Sequence, residues 1–354
     1  MTHCYNVPPP ENVAGGGDGT HHQDGRESSR AFNWRDEIME DKNVTRISTI
    51  CLLGFQTPEK VKLLVFFLFL ITYCVTFCGN LLIITLVSYS KTLQSPMYFF
   101  LSHLAMSDIL LATTILPNTM QVVLMKDTVI LFSACITQFY FFCVAEMVDS
   151  LLLTVMSYDR YLAICKPLHY NLLMSHRCCC VLVVTCWTLS FIIVLVHPFA
   201  MYRLQLCGTN TVDHFFCDLD PILELSCSDT AIVQLQVKLL SVLLVVIPFL
   251  IIIVSYVYII VTIVKISSIN GRQQVFSTCS SHLTVVSIYY GSPAFVYLVP
   301  SRGSSWNITK FLSMLYTIAC PLINPLVYTL RNKDLKKVAK HGLSKLWNGH
   351  FSWR

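Results

Sequence analysis

The stretch Met156–Tyr170, MSYDRYLAICKPLHY, joins a long apolar run that begins near Ser133 to a polar loop. An acid and a base, Asp159 and Arg160, stand side by side at this junction. Charged side chains in or next to a bilayer are costly, so they indicate a function if the run crosses one. The pair is then either a switch at the end of a helix or an arginine that only extends to the lipid head groups.

The composition of the chain predicts that the run does cross a membrane. Hydrophobic residues make up 54% of the 354 residues and charged residues only 13%, with a mean hydropathy of +0.60. These values are too apolar for an ordinary soluble protein and predict a polytopic membrane protein. The net charge of +5 does not indicate a nucleic-acid partner, because no basic stripe is interleaved with aromatic residues.

Seven apolar segments follow one another, each near the roughly 20 residues that span a bilayer. Their predicted bounds are 61–88, 97–120, 133–164, 179–199, 233–264, 275–299 and 311–330. We therefore predict an all-α fold in which residues 59–331 form a bundle of seven transmembrane helices. Residues 1–58 and 332–354 are predicted to be separate flanking regions.

Basic residues indicate which loops lie inside the cell. They gather around Arg160, around Arg272 and in the lysine-rich tail after Arg331. By the positive-inside rule these segments are cytoplasmic, and an odd number of spans then puts the N-terminus outside the plasma membrane. In the tail, apolar residues among the lysines predict a short amphipathic helix that lies on the inner leaflet and contacts membrane lipids.

The N-terminal region is predicted to be disordered and extracellular. Residues 1–58 are polar, with clusters of proline, glycine and histidine and no helical or strand period. They contain no basic stretch followed by an apolar one, so the first apolar segment is expected to act as the insertion signal. Met39 would also make a self-sufficient start, which would leave residues 1–38 as an extension. Asn43, in Asn43-Val44-Thr45, is a predicted glycosylation site.

Cysteines on the predicted outer side indicate disulfides. Cys135 opens the third segment, and Cys207, Cys217 and Cys227 lie in the loop between the fourth and fifth segments. These four would face an oxidising compartment. We predict the pairs Cys135–Cys217 and Cys207–Cys227, with Cys135–Cys227 as an open alternative. On the inner side, the run 178–180 has no histidines at zinc spacing, so inert or occasionally palmitoylated thiols are favoured over a metal site.

One face of the third segment carries two acids and the arginine. Residues on this face recur at spacings of four and three: Phe142, Glu146, Asp149, Leu153, Met156 and Arg160. Asp149 and Arg160 would be about 16 Å apart along a helix, so they belong to separate layers. Asp149 lies at the depth of Asp108 in the second segment and Asn324 in the seventh. This group predicts a bound sodium ion or a shared proton, with a satisfied hydrogen-bond cluster as the alternative.

Towards the outer side, the bundle is predicted to enclose a ligand cavity under the loop that the disulfides hold. Its lining is mostly apolar with a few polar groups, as is usual for small-molecule sites. The predicted lining residues are Phe142, Cys143, Glu146, Met147, Ser241, Leu244, Tyr290, Ala294, Tyr297, Met314 and Thr317. Glu146 is expected to recognise a cationic or hydrogen-bond-donating ligand. The alternatives are that burial keeps it protonated or that it joins the acid cluster below.

The seventh segment contains a predicted hinge. Pro325 breaks the helix, and Asn324 beside it is expected to satisfy the backbone groups that the proline frees. Pro248 and Gly291 provide further weak points in the fifth and sixth segments. A helical bundle with a polar core, hinges and an ion pair at its inner face can adopt two packings.

The ordered set of motifs resembles class A G-protein-coupled receptors and, more narrowly, the vertebrate olfactory receptors. The resemblance covers residues 43–337. It rests on LLGF (52–55), GN (79–80), PMYFFLSHLAMSD (96–108), MSYDRYLAICKPLHY (156–170), HFFCD (214–218), SY (255–256), FSTCSSHLTVV (276–286), YYG (289–291) and PLINPLVYTLRN (321–332). Single motifs such as Asp-Arg-Tyr are weakly specific, but the complete set in this order is very specific.

The resemblance implies a receptor that binds small volatile odorants and activates a stimulatory, olfactory-type G protein, which raises cyclic AMP. It implies a cytoplasmic switch, a relay residue under the ligand and a buried polar site. The switch would be Asp159, Arg160 and Tyr161 with Tyr256 and Tyr328 rearranging around Arg160, the relay Tyr290, and the polar site Asp108, Asp149 and Asn324. No cofactor is implied apart from an allosteric sodium ion.

Three features depart from the family pattern. Gln274-Val275 stands where the family usually has Lys-Ala, which removes a charge from the inner end of the sixth segment and puts basal activity and coupling strength in question. At position 149 the usual acid is glutamate, and Asp149 is shorter by one methylene. The long N-terminus is also atypical.

Three other classes of protein fit the sequence less well. A rhodopsin-like receptor for an amine, lipid or peptide would use Glu146 as its anchor, but the stretch FSTCSSHL and the extra loop cysteines argue against it. A transporter should contain inverted repeats or paired breaks in its helices, which the sequence lacks. An intramembrane enzyme would need a metal motif or a catalytic pair, and Asp108 with Asp149 fit a buried ion site better.

Overall fold

The computed structural model describes residues 48–54, 58–125, 128–207, 210–298, 306–331 and 335–340, without the side chains of 274, 277, 278, 292–298, 306–316 and 330–331. Its elements are β1 (Thr49–Leu52), α1 (Glu59–Tyr89), α2 (Pro96–Leu124), β2 (Thr128–Leu131), α3 (Phe132–Cys165), α4 (Pro167–Leu173), α5 (His176–Val194), α6 (Val196–Tyr202), β3 (Thr211–Val212), α7 (Leu219–Glu224), α8 (Ala231–Ser241), α9 (Ile247–Lys265), α10 (Ile269–Leu298) and α11 (Trp306–Arg331). Residues 335–340 are also helical.

The seven predicted segments coincide with the long helices. Five stretches are long and apolar enough to span a membrane: α1, α2, α3, α5 with α6, and α8 with α9. In α11 the apolar part within the described residues is Thr317–Thr329. The sixth and seventh segments correspond to α10 and α11, which pack against each other and against α3 and α2 respectively. Many side chains of α1 and α9 are exposed and apolar, as expected for helices that face lipid.

At two of the prolines in the helices, Pro248 and Pro325, a side chain from another helix donates to the carbonyl that the proline leaves without its helical donor. Pro248 has no N–H, so the carbonyl of Leu244 four residues earlier lacks its helical donor, and residues 242–246 form a π-helical turn. The Ser150 hydroxyl of α3 donates to that carbonyl over 2.9 Å. Pro325 frees the carbonyl of Pro321 in the same way, and an amide from α1 donates to it, as described below.

A three-stranded sheet covers the end of the bundle where α3 begins. β1 pairs antiparallel with β2, from Thr49 opposite Leu131 to Leu52 opposite Thr128, and parallel with β3 on its other edge. The prediction of disorder for residues 1–58 is therefore wrong for Thr49–Leu52. Sequence reasoning missed this strand because its partners lie in two distant loops. Asn43 and residues 1–47 lie outside the described residues.

The core is divided between the two ends of the bundle. One cluster fills the inner half around α3, with Met156, Tyr256 and Tyr328 among its members. The other packs β1 and the loop before α8 onto the outer ends of α2 and α3, and includes Phe142 and Phe216. The loop is therefore part of the folded core and forms a roof over the helices.

Both predicted disulfides are present and hold this roof in place. Cys135 at the start of α3 is bonded to Cys217, with their Cα atoms 5.3 Å apart. Cys207 is bonded to Cys227, with a Cα separation of 5.8 Å. The alternative pair Cys135–Cys227 is therefore excluded.

Candidate functional site

The inner end of α3 contains a buried ion pair. The Arg160 guanidinium donates to Asp159 Oδ2 from Nε at 3.0 Å and from Nη2 at 2.5 Å. The side chain of Asp159 is fully buried, and that of Arg160 is nearly so. Arg160 therefore does not extend to the lipid head groups.

Tyr170, in the loop helix α4, completes this pair. Its hydroxyl donates to Asp159 Oδ1 over 2.8 Å, so the two carboxylate oxygens have different partners. Burial, and then the negative charge of Asp159, raise the pKa of Tyr170, which keeps the hydroxyl protonated as a donor. The motif stretch ends on this tyrosine, but its sequence does not indicate that the loop folds back onto Asp159.

A buried histidine links three helices one layer away from the ion pair. His282 Nε2 in α10 lies 3.1 Å from the carbonyl of Leu153 in α3, and its Nδ1 lies 2.6 Å from the Tyr256 hydroxyl in α9. A carbonyl can only accept, so Nε2 carries the proton and Tyr256 donates to Nδ1. Sequence reasoning included His282 in a family motif but gave it no role.

The other two predicted switch tyrosines lie near Arg160 without bonding to it. Tyr328 is buried and within electrostatic range of Arg160, and its hydroxyl has no hydrogen-bond partner among the described residues. Tyr161 is half-buried, and its ring packs edge-on against that of Tyr258 at 5.8 Å between centroids. The predicted switch residues therefore lie together at the inner end, and among the described residues Arg160 forms hydrogen bonds with Asp159 alone.

The buried polar site lies at mid-depth and is only partly as predicted. The Asn324 amide donates to both oxygens of Asp108, at 3.0 and 3.2 Å. Asp149 is buried, and neither of its carboxylate oxygens has a hydrogen-bond partner among the described residues. The charges of Asp108 and Glu146 are within electrostatic range of it. The nearby Ser107 hydroxyl donates instead to the carbonyl of Ala145.

Asn80, and not Asn324, repairs the helix break at Pro325. Its amide donates to the freed Pro321 carbonyl over 3.1 Å, which ties α1 to α11. A Cβ atom on Gly79 would approach Pro325 Cβ to 3.1 Å, so glycine allows the two helices to come this close. The prediction that Asn324 donates to the carbonyl freed by Pro325 is therefore wrong, because the Asn324 amide donates to Asp108 instead. The sequence signal was Pro325 itself, because it shows that the Pro321 carbonyl needs another donor; it does not show which residue provides one.

Tyr290 lies beneath the predicted cavity and belongs to the second repaired break. Ser150 gives its single hydroxyl proton to Leu244, so the Tyr290 hydroxyl donates to Ser150 Oγ over 3.0 Å. The Tyr290 ring also packs against Phe249 at 4.7 Å between centroids. A motion of Tyr290 would therefore act on α3 and on the π-helical turn together.

Glu146 lies half-buried one turn above Asp149. The Tyr289 hydroxyl donates to the backbone carbonyl of Glu146 over 2.7 Å. Above it, the Phe142 ring packs against Phe216 of the roof at 5.8 Å between centroids. This places Glu146 between the buried polar site and the roof.

Gln138 fastens the roof to the helices. Its Oε1 accepts from the Cys217 backbone N–H over 3.2 Å, and its Nε2 donates to the Thr114 carbonyl of α2 over 2.9 Å. Asp218, which follows Cys217, is half-buried, and loss of hydration raises the pKa of its carboxyl group. Sequence reasoning missed Gln138 because a glutamine on a membrane helix has no specific partner until the loop is placed.

The remaining predicted lining residues are distributed as follows. Met147 is buried, Cys143 and Leu244 are half-buried, and Thr317 is buried in α11. Ser241 is exposed at the end of α8 and is not brought together with the others. The side chains of Ala294, Tyr297 and Met314 lie outside the described residues.

One surface groove lies apart from the predicted ligand site. It has a volume of about 510 Å³, lies between α5 and α8, and is lined by apolar side chains such as Ile193, Leu235 and Leu239. Its glutamine, Gln236, donates to the Val196 carbonyl. None of the predicted ligand residues lines it. Among the described residues, no three histidine, cysteine or acidic side chains are arranged to hold a metal ion.

Comparison with known proteins identifies the family. The profile described as "Olfactory receptor" matches residues 69–345, which is more than half of the chain. The chain belongs to the olfactory receptor family. Olfactory receptor 1468 of Rattus norvegicus is 41% identical over 307 residues, which cover 87% of this chain and 98% of that protein. Olfactory receptor 1M1 of Mus musculus is 43% identical over 302 residues, covering 85% and 96%.

Olfactory receptor 11L1 of Homo sapiens is 41% identical over 314 residues, which cover 88% of this chain and 98% of that protein. The crystal structure of squid rhodopsin superposes with a TM-score of 0.65 over 82% of this chain and 88% of that one, at 18% sequence identity. This structural match confirms the predicted seven-helix fold. The chain is therefore a multi-pass membrane protein and a G-protein-coupled olfactory receptor, and not an enzyme.

Proposed function

We propose that this olfactory receptor binds a small, mostly apolar odorant beneath the roof, beside Phe142 and Glu146. Ligand binding activates a stimulatory, olfactory-type G protein and raises cyclic AMP. The proposal is supported by the hydrogen bonds that connect α10 to α3 just below this site. Tyr289 and Tyr290 of α10 bond to the Glu146 carbonyl and to Ser150, and so connect the ligand site to α3.

The receptor works by a shift between two packings. In the resting packing, Arg160 bonds to Asp159 and His282 ties α10 to α3 and α9, as these contacts are arranged in the structure. A ligand that binds the other packing more tightly shifts the population towards it. The inner end of α10 then moves outward, Arg160 releases Asp159, and the C-terminal helix of the G protein enters the opened groove.

The orientation follows from the placement of charge. Arg160, Arg177 and Arg272 lie at the inner end, with the helix at residues 335–340. The roof and its disulfides lie at the other end, as an oxidising compartment requires. The receptor therefore lies in the plasma membrane with its N-terminus outside, glycosylated at Asn43, and with a cytoplasmic tail.

The buried polar site fits a sodium ion. Asp149 has two carboxylate oxygens without hydrogen-bond partners among the described residues, and the charge of Asp108 is close. Two adjacent carboxylates in an apolar surrounding repel each other unless a cation or a proton lies between them. Asp108 and Asp149 would hold the ion, while Asn324 orients Asp108. The ion would stabilise the resting packing.

A cyclic AMP reporter in cells that express the olfactory-type stimulatory α subunit tests the proposal. The receptor is exposed to a panel of hydrocarbons, alcohols, aldehydes and amines. We expect a response to some of these, and a loss of potency of roughly 10- to 150-fold in Glu146→Gln for ligands that donate to a carboxylate, since a charge-assisted hydrogen bond contributes about 1.5–3 kcal/mol.

Ser241→Ala is the matched control, because Ser241 is exposed and apart from the site. Its responses should equal those of the unmodified receptor. No response from surface-expressed receptor to any ligand class, or responses that persist with an inhibitory α subunit alone, would contradict the proposed coupling.

A further inference from the structure

Three consecutive cysteines at the start of α5 have no part in the proposed mechanism. α5 begins at His176, and the Ser175 hydroxyl accepts a hydrogen bond from the Cys178 backbone N–H over 3.4 Å. The run Cys178–Cys180 therefore occupies the first turns of a membrane-spanning helix. Arg177 is exposed beside it, which marks the boundary between the membrane and water.

The helical period gives the three thiols different surroundings. Cys179 is 2% exposed and heads a buried stripe that continues through Val183, Cys186 and Ser190 against the bundle. Cys178 and Cys180 are half-buried, one on each side of that stripe. Two thiols are accessible from the membrane boundary, and the one between them is not.

The surface next to the two accessible thiols is suited to an alkyl chain. Val181 lies three residues after Cys178 and Val184 four residues after Cys180, and both valines are exposed, at 64% and 59%. Residues at these spacings are neighbours on a helix surface. A chain attached to either sulfur and directed along α5 would lie against an exposed apolar strip that faces the lipid.

A possible proton acceptor lies beside one of the thiols. Nδ1 of His176 is 3.5 Å from the Cys180 sulfur. The thiolate is the reactive form of cysteine, and this ring nitrogen stands next to the thiol whose proton must leave. Cys180 therefore combines access, an apolar strip and a neighbouring base.

We propose that Cys178 and Cys180 are S-acylation sites that carry long-chain fatty acyl groups. In the reaction the cysteine sulfur attacks the carbonyl carbon of a fatty acyl thioester, either acyl-coenzyme A or an acyl-enzyme. A new S–C bond forms, the carrier C–S bond breaks, and the thiol proton passes through His176 or water to the departing carrier thiolate. No oxidant is needed. The tail, residues 332–354, contains no cysteine.

The acyl chains would fix the inner end of α5 to the membrane. The loop helix α4 directly precedes it and carries Tyr170, the partner of Asp159. Acylation would therefore limit the motion of α4 relative to the bilayer. This inference rests on the proposed orientation, which places the start of α5 in the cytoplasm.

The test exchanges thioester-linked groups for a polyethylene-glycol tag in the full-length receptor expressed in cells. After free thiols are blocked, hydroxylamine cleaves thioesters, and each exposed thiol adds one tag. We expect the unmodified receptor to gain two tags, the single variants Cys178→Ser and Cys180→Ser one, and the double variant none. Mass spectrometry of the peptide that contains residues 178–180 locates the acyl groups in the unmodified receptor independently of any variant.

Cys179→Ser is the matched control, since it removes the buried thiol from the same run and should retain both tags. No hydroxylamine-dependent tag on the unmodified receptor, or two tags on the double variant, would overturn the proposal. An N-terminal epitope stained on intact cells tests the orientation separately, so a failure of orientation and a failure of acylation are distinguishable.

Discussion

The Tyr256 hydroxyl lies 2.6 Å from Nδ1 of His282, whose Nε2 lies 3.1 Å from the Leu153 carbonyl. One buried imidazole therefore joins α3, α9 and α10 in the layer next to the Asp159–Arg160 pair. Because α10 must move relative to α3 in the proposed mechanism, these two hydrogen bonds stabilise the resting packing. In the proposed mechanism, His282 therefore stabilises the resting packing together with the Asp159–Arg160 pair.

Removing this bridge should raise signalling in the absence of ligand. His282→Phe keeps an aromatic ring of similar size but makes neither hydrogen bond. Each net hydrogen bond contributes about 0.5–1.5 kcal/mol, so the loss of both should raise the population of active receptor roughly 5- to 150-fold. The measurement is basal cyclic AMP at equal surface expression.

Tyr256→Phe and the double variant separate this bond from other effects of the ring. Tyr256→Phe removes the same hydroxyl–imidazole bond from the other side. If the bond acts, adding Tyr256→Phe to His282→Phe should change basal activity less than Tyr256→Phe does alone. Independent, additive effects would show that the two residues do not act through each other.

The hydrogen bond from Ser150 to the Leu244 carbonyl should stabilise the receptor more when Pro248 is present than when it is replaced. Ser150→Ala removes a donor to the half-buried Leu244 carbonyl, which should destabilise the purified receptor by about 0.5–1.5 kcal/mol. In the Pro248→Ala background the new backbone N–H can bond to that carbonyl, so the same substitution should cost less. Thermal unfolding in detergent measures both. An equal loss in the two backgrounds would contradict the assignment.

The proposed sodium ion predicts that basal activity depends on sodium. Replacing sodium with choline at constant ionic strength should raise basal cyclic AMP in the unmodified receptor. Asp149→Asn should abolish this dependence, because it removes the charge that has no other partner among the described residues. Glu224→Gln, at the end of α7 in the roof, is a control for loss of one acid. Unchanged sodium dependence in Asp149→Asn would indicate a hydrogen-bond cluster without an ion.

The two disulfides should differ in their effect on folding. The Cys135–Cys217 bond closes a segment with a sequence separation of 82, against 20 for Cys207–Cys227. The chain-entropy relation predicts that the Cys135–Cys217 bond adds about 1 kcal/mol more to the free energy of unfolding than the Cys207–Cys227 bond does. Of these two disulfides, Cys135–Cys217 is the one that joins the roof to α3. Surface expression should fall further in Cys135→Ser than in Cys207→Ser. The reverse order would contradict the claim that the bond between the roof and α3 matters most for folding.

The sequence was sufficient for the spans, the disulfides and the ion pair. Hydropathy places helices wherever about 20 apolar residues follow one another, and the four cysteines on the predicted outer side, Cys135 with three in the loop, restrict the pairing to a few choices. Asp159 and Arg160 are neighbours in the chain, so their contact needed no knowledge of packing. The spans and the ion pair depend on the local sequence, and the disulfides on a choice among few possible cysteine pairings.

Contacts between helices were less predictable, because they depend on how each helix is rotated and on its depth. Asn324 was expected to serve the backbone freed by Pro325, but Asn80 of α1 reaches that carbonyl and Asn324 bonds to Asp108. Strand β1 was missed because four residues acquire a partner only when two distant loops meet. In both cases the deciding partner is far away in the sequence.

The most direct test of the central claim measures the ligand-dependent cyclic AMP response of Arg160→Ala, with Arg177→Ala as a control that removes an exposed positive charge at the same end. We expect both variants to reach the surface, and we expect Arg177→Ala to respond and Arg160→Ala not to respond. A full response from surface-expressed Arg160→Ala would contradict the claim that the signal passes through Arg160.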